Sequence, residues 1–170
     1  MLFRSDKLRW LNAEHIRSLS PEAFHQIALP FYPEGLKSFD LVKISQLIQI
    51  RTEILTDIPR LVGFLTELPE YSAELFENQK SKSTLESSRV VFEKALPLLE
   101  NLENWSNEEL FEVLKAFAQE QSFKVGTVMW PIRTALSGQE TSPGGATELA
   151  ALLGKEESLR RIRLGLSKLS

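Results

Sequence analysis

Apolar residues recur every three or four positions along most of this chain. Such spacing places apolar side chains on one face of an α-helix. From Asp40 onward, Leu41, Ile44, Ile48, Leu55 and Ile58 fall near a single apolar stripe, which indicates one strongly amphipathic segment. No segment shows the sustained alternation of apolar and polar residues that is typical of a half-buried strand. The sequence therefore predicts an all-α protein without a sheet.

Capping residues and prolines mark the ends of several predicted helices. Ser20-Pro21-Glu22 combines a capping hydroxyl, a proline at the first helical position and an acid near the positive end of the helix dipole. Ser106 and Glu109 have the spacing of a capping box and start another helix. A long helix is expected over residues 84–102, with a kink at Pro97.

The charge balance changes along the chain. Residues 1–65 carry eight Lys/Arg and seven Asp/Glu, residues 66–123 carry five and twelve, and residues 124–170 carry seven and four. A domain boundary is expected at Leu68-Pro69-Glu70, where this change coincides with a proline and acids. Local fields rather than the net charge of −3 decide where a polyanion docks. Ordinary scatter of surface charge explains these counts equally well.

Residues that could carry catalytic or metal chemistry are sparse. The chain has no cysteine, which excludes disulfides and thiolate zinc sites and agrees with a cytoplasmic location. His15 and His25 have no acid at ligand spacing, and no Gly-x-Ser-x-Gly elbow or Walker loop is present. No apolar run approaches the roughly 18 residues of a membrane-spanning helix, and charges follow Met1 too closely for a signal peptide. The pattern favours recognition over catalysis.

The most informative stretch lies between Phe123 and Leu169. Gly138 and Gly154 each follow an apolar helical run and suit the residue that closes a helix. Ser142-Pro143-Gly144-Gly145 is expected to form a tight polar loop between two helix ends. Arg133 projects near this loop, and its planar fork of donors suits an oxygen-rich partner. The alternative is that the junction is only architecture and that the arginine is solvated.

This stretch resembles the C-terminal signature of bacterial glutamyl-tRNA synthetases. In that signature a Lys-x-Gly-x-x-x-x-Pro-Leu-Arg-x-Ala-Leu-x-Gly run precedes a Ser/Thr-Pro-Gly loop and a Leu-Gly-Lys-Glu-x-x-Leu-x-Arg helix. The positions in register are Lys124, Gly126, Pro131, Arg133, Ala135, Leu136, Gly138, Pro143, Gly144, Gly154, Lys155, Glu156, Leu159 and Arg161. Residues 3–16 also resemble the family, at the helix that leaves its catalytic and tRNA-stem regions.

The resemblance implies a cage-like, all-α anticodon-binding region that covers essentially the whole chain. Residues 1–17 would end the stem-contact region, and residues 18–69 and 70–170 would form two helical subdomains. The chain would recognise the anticodon loop of glutamate tRNA as a monomer, with no role for DNA or a membrane. It would use no cofactor and catalyse nothing alone, because ATP and Mg would act in the catalytic body of a longer parent, and Met1 would be an added initiator.

The resemblance also implies which residues contact RNA. They are Arg51, Lys124, Arg133, Ser142, Pro143, Gly144, Gly145 and Arg161. Arg51 matches the position at which an arginine faces the third anticodon base in enzymes that reject glutamine tRNA, although it also suits the surface of an amphipathic helix. Gly145 replaces the usual bulky Leu, and Ser142 stands where some members have Thr. Basic residues of helix 155–169 would steer tRNA phosphates, unless they are simply solvated.

Two other interpretations stay open. A helical protein-interaction adaptor would account for the bundles and the acidic middle, but not for the motifs in residues 124–161. A small helical enzyme would need a polar site that the sequence does not show. Lys80-Ser81-Lys82-Ser83 superficially resembles the Lys-Met-Ser-Lys-Ser loop of these synthetases. It lacks the Met and follows the first helical bundle, so we interpret it as a solvated loop before a helix.

Overall fold

The computed structural model describes residues 2–170, with side chains described from Ser5 onward. Within this range the α-helices are α1 (Leu2–Ser18), α2 (Pro21–Ala28), α3 (Leu41–Ile48), α4 (Ile58–Val62), α5 (Leu85–Glu100), α6 (Asn107–Glu120), α7 (Val125–Ser137), α8 (Ala146–Leu153) and α9 (Lys155–Ser167). Short 3-10 turns cover Leu29–Phe31, Glu34–Leu36, Gln49–Arg51, Leu55–Asp57, Gly63–Leu65 and Ala73–Phe76. The only β-type pairing in the described residues is an isolated bridge between Asn78 and Ser83. The prediction of an all-α fold is confirmed.

The chain divides into two compact units, one ending at Glu67 and the other running from Leu68 to Ser170. In the first unit, α2, α3 and α4 surround a core whose fully buried side chains include Phe24, Leu36, Ile44, Ile48 and Ile58. The Gln49 side chain ties α1 to this unit, because its amide donates to the backbone oxygens of Ile16 at 3.0 Å and Leu19 at 2.9 Å. A separate stem-contact region over residues 1–17 stays a prediction.

The segment after Ile48 differs from the single amphipathic stripe that its apolar spacing predicts. Helix α3 ends at Ile48, and two 3-10 turns precede the short helix α4. The Thr52 hydroxyl donates to the Ile48 backbone oxygen at 2.8 Å, in a position that is fully buried. Side-chain bonds of this kind compete with helical backbone bonds. The stripe is therefore interrupted even though both of its halves reach the core.

The second unit is built around α7, which packs against α5, α6, α8 and α9. Its buried side chains include Phe92, Leu114, Val128, Ile132 and Leu149. Helix α9 approaches α7 closely at Gly165, where an added Cβ would lie 3.1 Å from the Ala135 Cβ. The absence of a side chain at this position therefore permits the contact between the two helices.

Several predicted helix starts are present in the structure. The Ser20 hydroxyl accepts from the Ala23 N–H at 3.1 Å, and the Ser106 hydroxyl accepts from the Glu109 N–H at 3.2 Å. At the start of α5, Thr84 and Ser87 form a reciprocal capping box. Helix α5 continues through Pro97 to Glu100. Caps read from the sequence thus fix the beginnings of α2 and α6, and a cap at Thr84 that was not predicted fixes the beginning of α5.

Candidate nucleic-acid interface

Helix α7 ends in the loop of residues 138–145, here called the Ser142 loop. Gly138 closes the helix in the left-handed conformation, with φ 63° and ψ 23°, and its N–H donates to the Thr134 oxygen at 2.7 Å. A Cβ at this position would lie only 2.9 Å from the Pro69 backbone oxygen. Both the backbone angle and the available space therefore require glycine.

The Arg133 side chain fixes this loop through two hydrogen bonds. Its Nη1 donates to the Ser142 Oγ at 2.8 Å, and its Nη2 donates to the Glu140 backbone oxygen at 2.7 Å. The guanidinium lies over the Trp130 ring, 4.4 Å from the ring centroid. The Trp130 indole N–H donates in turn to the Leu75 oxygen at 2.9 Å. A chain of contacts therefore runs from the body of the unit through Trp130 and Arg133 to the loop.

Hydrogen bonds fix the inner part of the Ser142 loop and its junction with α8. Ser142 is buried, and its hydroxyl donates to the Gly144 oxygen at 2.8 Å. The Gly145 N–H donates to the Glu148 carboxylate at 3.1 Å, where the chain enters α8. Pro143 and Gly144 are half-buried and Gly145 is exposed. The accessible surface of the loop therefore includes part of the Pro143 ring and the glycine backbone, next to the exposed residues Glu140 and Thr141.

Lys124 and Arg161, the other two sequence-predicted residues of this unit, have opposite environments. Lys124 is exposed at the N-cap of α7 and has no ion pair with another described residue. Arg161 has no exposed surface, and it donates from Nε to the Glu157 carboxylate at 2.8 Å and from Nη1 to the Leu136 oxygen at 2.6 Å. This burial contradicts the predicted RNA contact of the Arg161 side chain. The Arg161 side chain instead joins α9 to the last turn of α7.

Glu157 is the carboxylate that balances this buried charge. It accepts two hydrogen bonds from Arg160, at 2.8 and 2.6 Å, in addition to the one from Arg161. These hydrogen bonds, from Arg160 first and Arg161 next, lower the pKa of Glu157 to about 2. The burial of Arg161 has a signal in the sequence, since the small residues Ser158 and Gly165 lie three and four positions from it, on the buried face of α9.

Arg51 lies in the first unit, at the end of the 3-10 turn Gln49–Arg51. Its side chain is exposed and has no hydrogen bond or ion pair with another residue of the described chain. Its neighbour Thr52 and the nearby Gln49 are both buried and hydrogen-bonded. A fixed backbone therefore carries an unpaired guanidinium. The turn was not predicted, because the spacing of apolar residues indicated a helix surface here.

Residues 2–170 lack the features of a metal site and of a membrane-spanning helix. No group of three or more His, Cys, Asp and Glu side chains in that range is placed to hold a metal ion. None of the described helices combines the length and apolar character needed to cross a membrane.

Comparison with known families identifies the class of this helical domain. A family model described as an anticodon binding domain matches residues 23–166, and the chain belongs to that family. Among curated relatives, the glutamate--tRNA ligase of Clostridium tetani is 48% identical over 169 residues, which cover 99% of this chain and 35% of that protein. The glutamate--tRNA ligase of Clostridium novyi is 47% identical over 173 residues, with 99% and 36% covered. The resemblance to glutamyl-tRNA synthetases is confirmed, and the chain spans about a third of the length of these relatives.

Solved structures show a similar fold. A glutamate tRNA ligase from Elizabethkingia meningosepticum, crystallised in complex with its amino acid, matches 95% of this chain and 32% of its own, with a TM-score of 0.77 and 23% identity. The glutamate-tRNA synthetase of Elizabethkingia anophelis matches 94% and 31%, with a TM-score of 0.71 and 22% identity. At these identities the likeness concerns the fold alone.

Proposed function

We propose that this chain is the anticodon-recognition part of a glutamate--tRNA ligase and binds the anticodon loop of glutamate tRNA. The observation that carries the proposal is the Ser142 loop, which is fixed by two hydrogen bonds from Arg133 and has accessible glycine backbone at positions 144 and 145. Unstacked bases of RNA loops are recognised through their edges and faces, which suits a rigid surface with accessible backbone groups. The match to an anticodon binding domain over residues 23–166 supports the same conclusion.

Within this function, Arg133 and Ser142 set the shape of the loop, and Pro143, Gly144 and Gly145 face the RNA. Two donors of Arg133 are already bonded to loop atoms, at 2.8 and 2.7 Å. An arginine held in this way contributes mainly by fixing the atoms around it. Exposed Lys124 adds a phosphate contact that carries no base information.

Arg51 selects the third anticodon base. A cytosine at that position offers O2 and N3 as acceptors to the guanidinium fork, which has only donors. The guanine of a glutamine anticodon turns N1–H and its amino group toward the same donors. Donor facing donor leaves polar groups unpaired, at a cost of about 1–3 kcal/mol. The exposed and unpaired state of Arg51 supports this role.

The whole ligase would attach glutamate to its tRNA in the cytoplasm, using ATP and Mg in regions outside this chain. The chain itself would act as a monomer and without a cofactor. A protein-interaction adaptor is not favoured, because the family match runs through the motif-bearing helices α7 to α9.

Titration with short RNA stem-loops tests this function. We expect fluorescence anisotropy to show weak binding of a glutamate anticodon stem-loop at low salt, with affinity falling as salt rises. The control is a stem-loop with the same stem and an unrelated loop sequence. No binding at low salt, or equal affinity for both RNAs, would contradict the proposal and favour the adaptor.

A further inference from the structure

Two separate parts of the second unit bring exposed lysines close together. One part is the loop of residues 78–83, closed by paired backbone hydrogen bonds between Asn78 and Ser83, both at 2.9 Å. This loop carries Lys80 and Lys82, and both are exposed. Together with Lys124 at the N-cap of α7, they form what we call the lysine patch.

The contact between the loop and α7 is specific. The Thr127 hydroxyl donates to the Ser81 backbone oxygen at 2.7 Å, and Ser81 lies between the two loop lysines. A Cβ added at Gly126 would meet the Ser81 Cα at 3.6 Å, so the loop rests directly on the first turn of α7. The Thr127 N–H also donates to the Lys124 oxygen at 3.0 Å, which places Lys124 in that same turn.

The lysine patch is not neutralised by the protein. None of its three ammonium groups forms an ion pair or hydrogen bond with another described residue. Arg160 and Arg163 of the same unit, by contrast, are paired with Glu157 and Glu100 at 2.6 Å. The surrounding segment 66–123 is acidic, with five Lys/Arg against twelve Asp/Glu, so unpaired cations here are not a consequence of a basic composition. Their charge is available to an external anion.

Lys82 also has an unusual backbone. Its φ of 53° lies in the left-handed region, which is unfavourable for a residue with a Cβ. Glycine or asparagine adopts this conformation more readily. The loop therefore keeps a lysine at a position where the fold alone favours other residues, and an outlier of this kind is a reason to look for a function.

We propose that the lysine patch binds phosphates of the RNA strand that leads away from the anticodon loop. The inference rests on the proposed function and extends it to a surface outside the Ser142 loop. Helix α7 has 13 residues, so its two ends lie about 20 Å apart. One helix then carries a phosphate contact at its start and the anticodon-loop contact at its end. Because lysine binds phosphate as a point charge, the patch adds affinity without base selectivity.

The test compares two double variants of the 170-residue chain that lose the same charge. One is Lys80→Gln with Lys82→Asn, in which asparagine suits the left-handed backbone. The matched control is Lys94→Gln with Lys115→Gln, in α5 and α6 of the same unit. Urea unfolding of both variants verifies that each is folded. Binding of the glutamate anticodon stem-loop and of full-length tRNA is then measured over a salt series.

For the patch variant we expect affinity for full-length tRNA to fall about tenfold at low salt. The slope of log K against log salt should become shallower by about 1.4, since each phosphate contact to a single strand contributes about 0.7. The control should keep the wild-type slope. Equal slopes for the two variants would overturn the phosphate-binding role of the lysine patch. In that case, tRNA binding by the wild type would still uphold the proposed function. Failure of the wild type to bind either RNA would overturn both.

Discussion

Arg51 and Arg133 were both predicted to contact the anticodon, but the two units hold these arginines in opposite ways. Arg51 extends from a 3-10 turn with no partner among the described residues. Arg133 lies on a tryptophan ring and is bonded to a loop hydroxyl and a loop carbonyl. Under the proposed function, this comparison predicts that the unpaired Arg51 discriminates between bases, whereas Arg133, bonded within the protein, mainly positions other groups.

The largest effect is expected for Arg161→Ala, which extends the comparison to an arginine that is entirely buried. Removing the buried guanidinium leaves a cavity and an unmatched Leu136 oxygen, whereas Glu157 keeps its two hydrogen bonds from Arg160, so we expect a loss of about 3–5 kcal/mol in the free energy of unfolding. Urea denaturation measures this loss. Arg163→Ala is the control, because it removes an exposed arginine of the same helix that is paired with Glu100. A stable Arg161→Ala variant that merely binds RNA poorly would restore Arg161 to the interface.

The next effect is a change in base preference for Arg51→Gln. An amide can accept as well as donate, so the preference for C over G at the third anticodon position should fall by about one to two orders of magnitude, or about 1–3 kcal/mol. Two stem-loops that differ only at that base provide the measurement. Stability should stay unchanged, since Arg51 has no internal partner. Arg60→Gln, at another exposed arginine of the first unit, serves as control, and an unchanged C-to-G ratio in Arg51→Gln would remove Arg51 from the site.

A smaller effect of a different kind is expected for Arg133→Lys. Lysine keeps the charge but cannot reproduce the planar fork that joins Ser142 and Glu140. We expect affinity for both stem-loops to weaken by about 1–2 kcal/mol, with the C-to-G ratio preserved. The same anisotropy titrations provide the data. A shifted ratio would show that Arg133 discriminates between bases directly, and the contrast with Arg51 would then fail.

The smallest effect is the pH dependence of the ion pairs of Glu157. Its pKa is lowered to about 2 in the folded protein, so this carboxylate stabilises the fold above its unfolded pKa of about 4.5, and the contribution is lost as pH falls from there towards 2. Because the Glu157 side chain is 33% exposed, solvent screening limits the contribution to about 1 kcal/mol. Urea midpoints of wild type and Glu157→Gln should converge as pH is lowered through this range. The neighbouring exposed Glu156→Gln should keep the wild-type pH profile.

Sequence patterns predicted the helices and the caps at Ser20 and Ser106 well, because these depend on residues close together in the chain. The break after Ile48 was missed, since Gln49 and Thr52 redirect the chain through bonds that include backbone oxygens of α1. The partner of Gln49 lies 33 residues away in the sequence and has no periodic signal, and the local bond of Thr52 leaves the apolar spacing unchanged.

The Ser142 loop and its neighbour Arg133 were indicated by the sequence, whereas contact of these residues with RNA stays a prediction. Glycine spacing and Ser142-Pro143-Gly144 indicated the loop, and the structure places Arg133 against it. What the family resemblance could not show is whether an arginine faces solvent or protein. Arg161 illustrates this, because the resemblance implied an RNA contact, whereas its side chain is fully buried beside Glu157.

The closure of α7 at Gly138 has a consequence for the thermodynamics and rate of RNA capture. Because Gly138 lies against Pro69 and Arg133 already bonds the loop, few protein dihedral angles are left to immobilise when RNA arrives. The entropic cost of ordering then falls mainly on the RNA, whose loop bases must unstack. Differences in affinity between RNA loops should consequently appear in their dissociation rates, with association rates nearly constant.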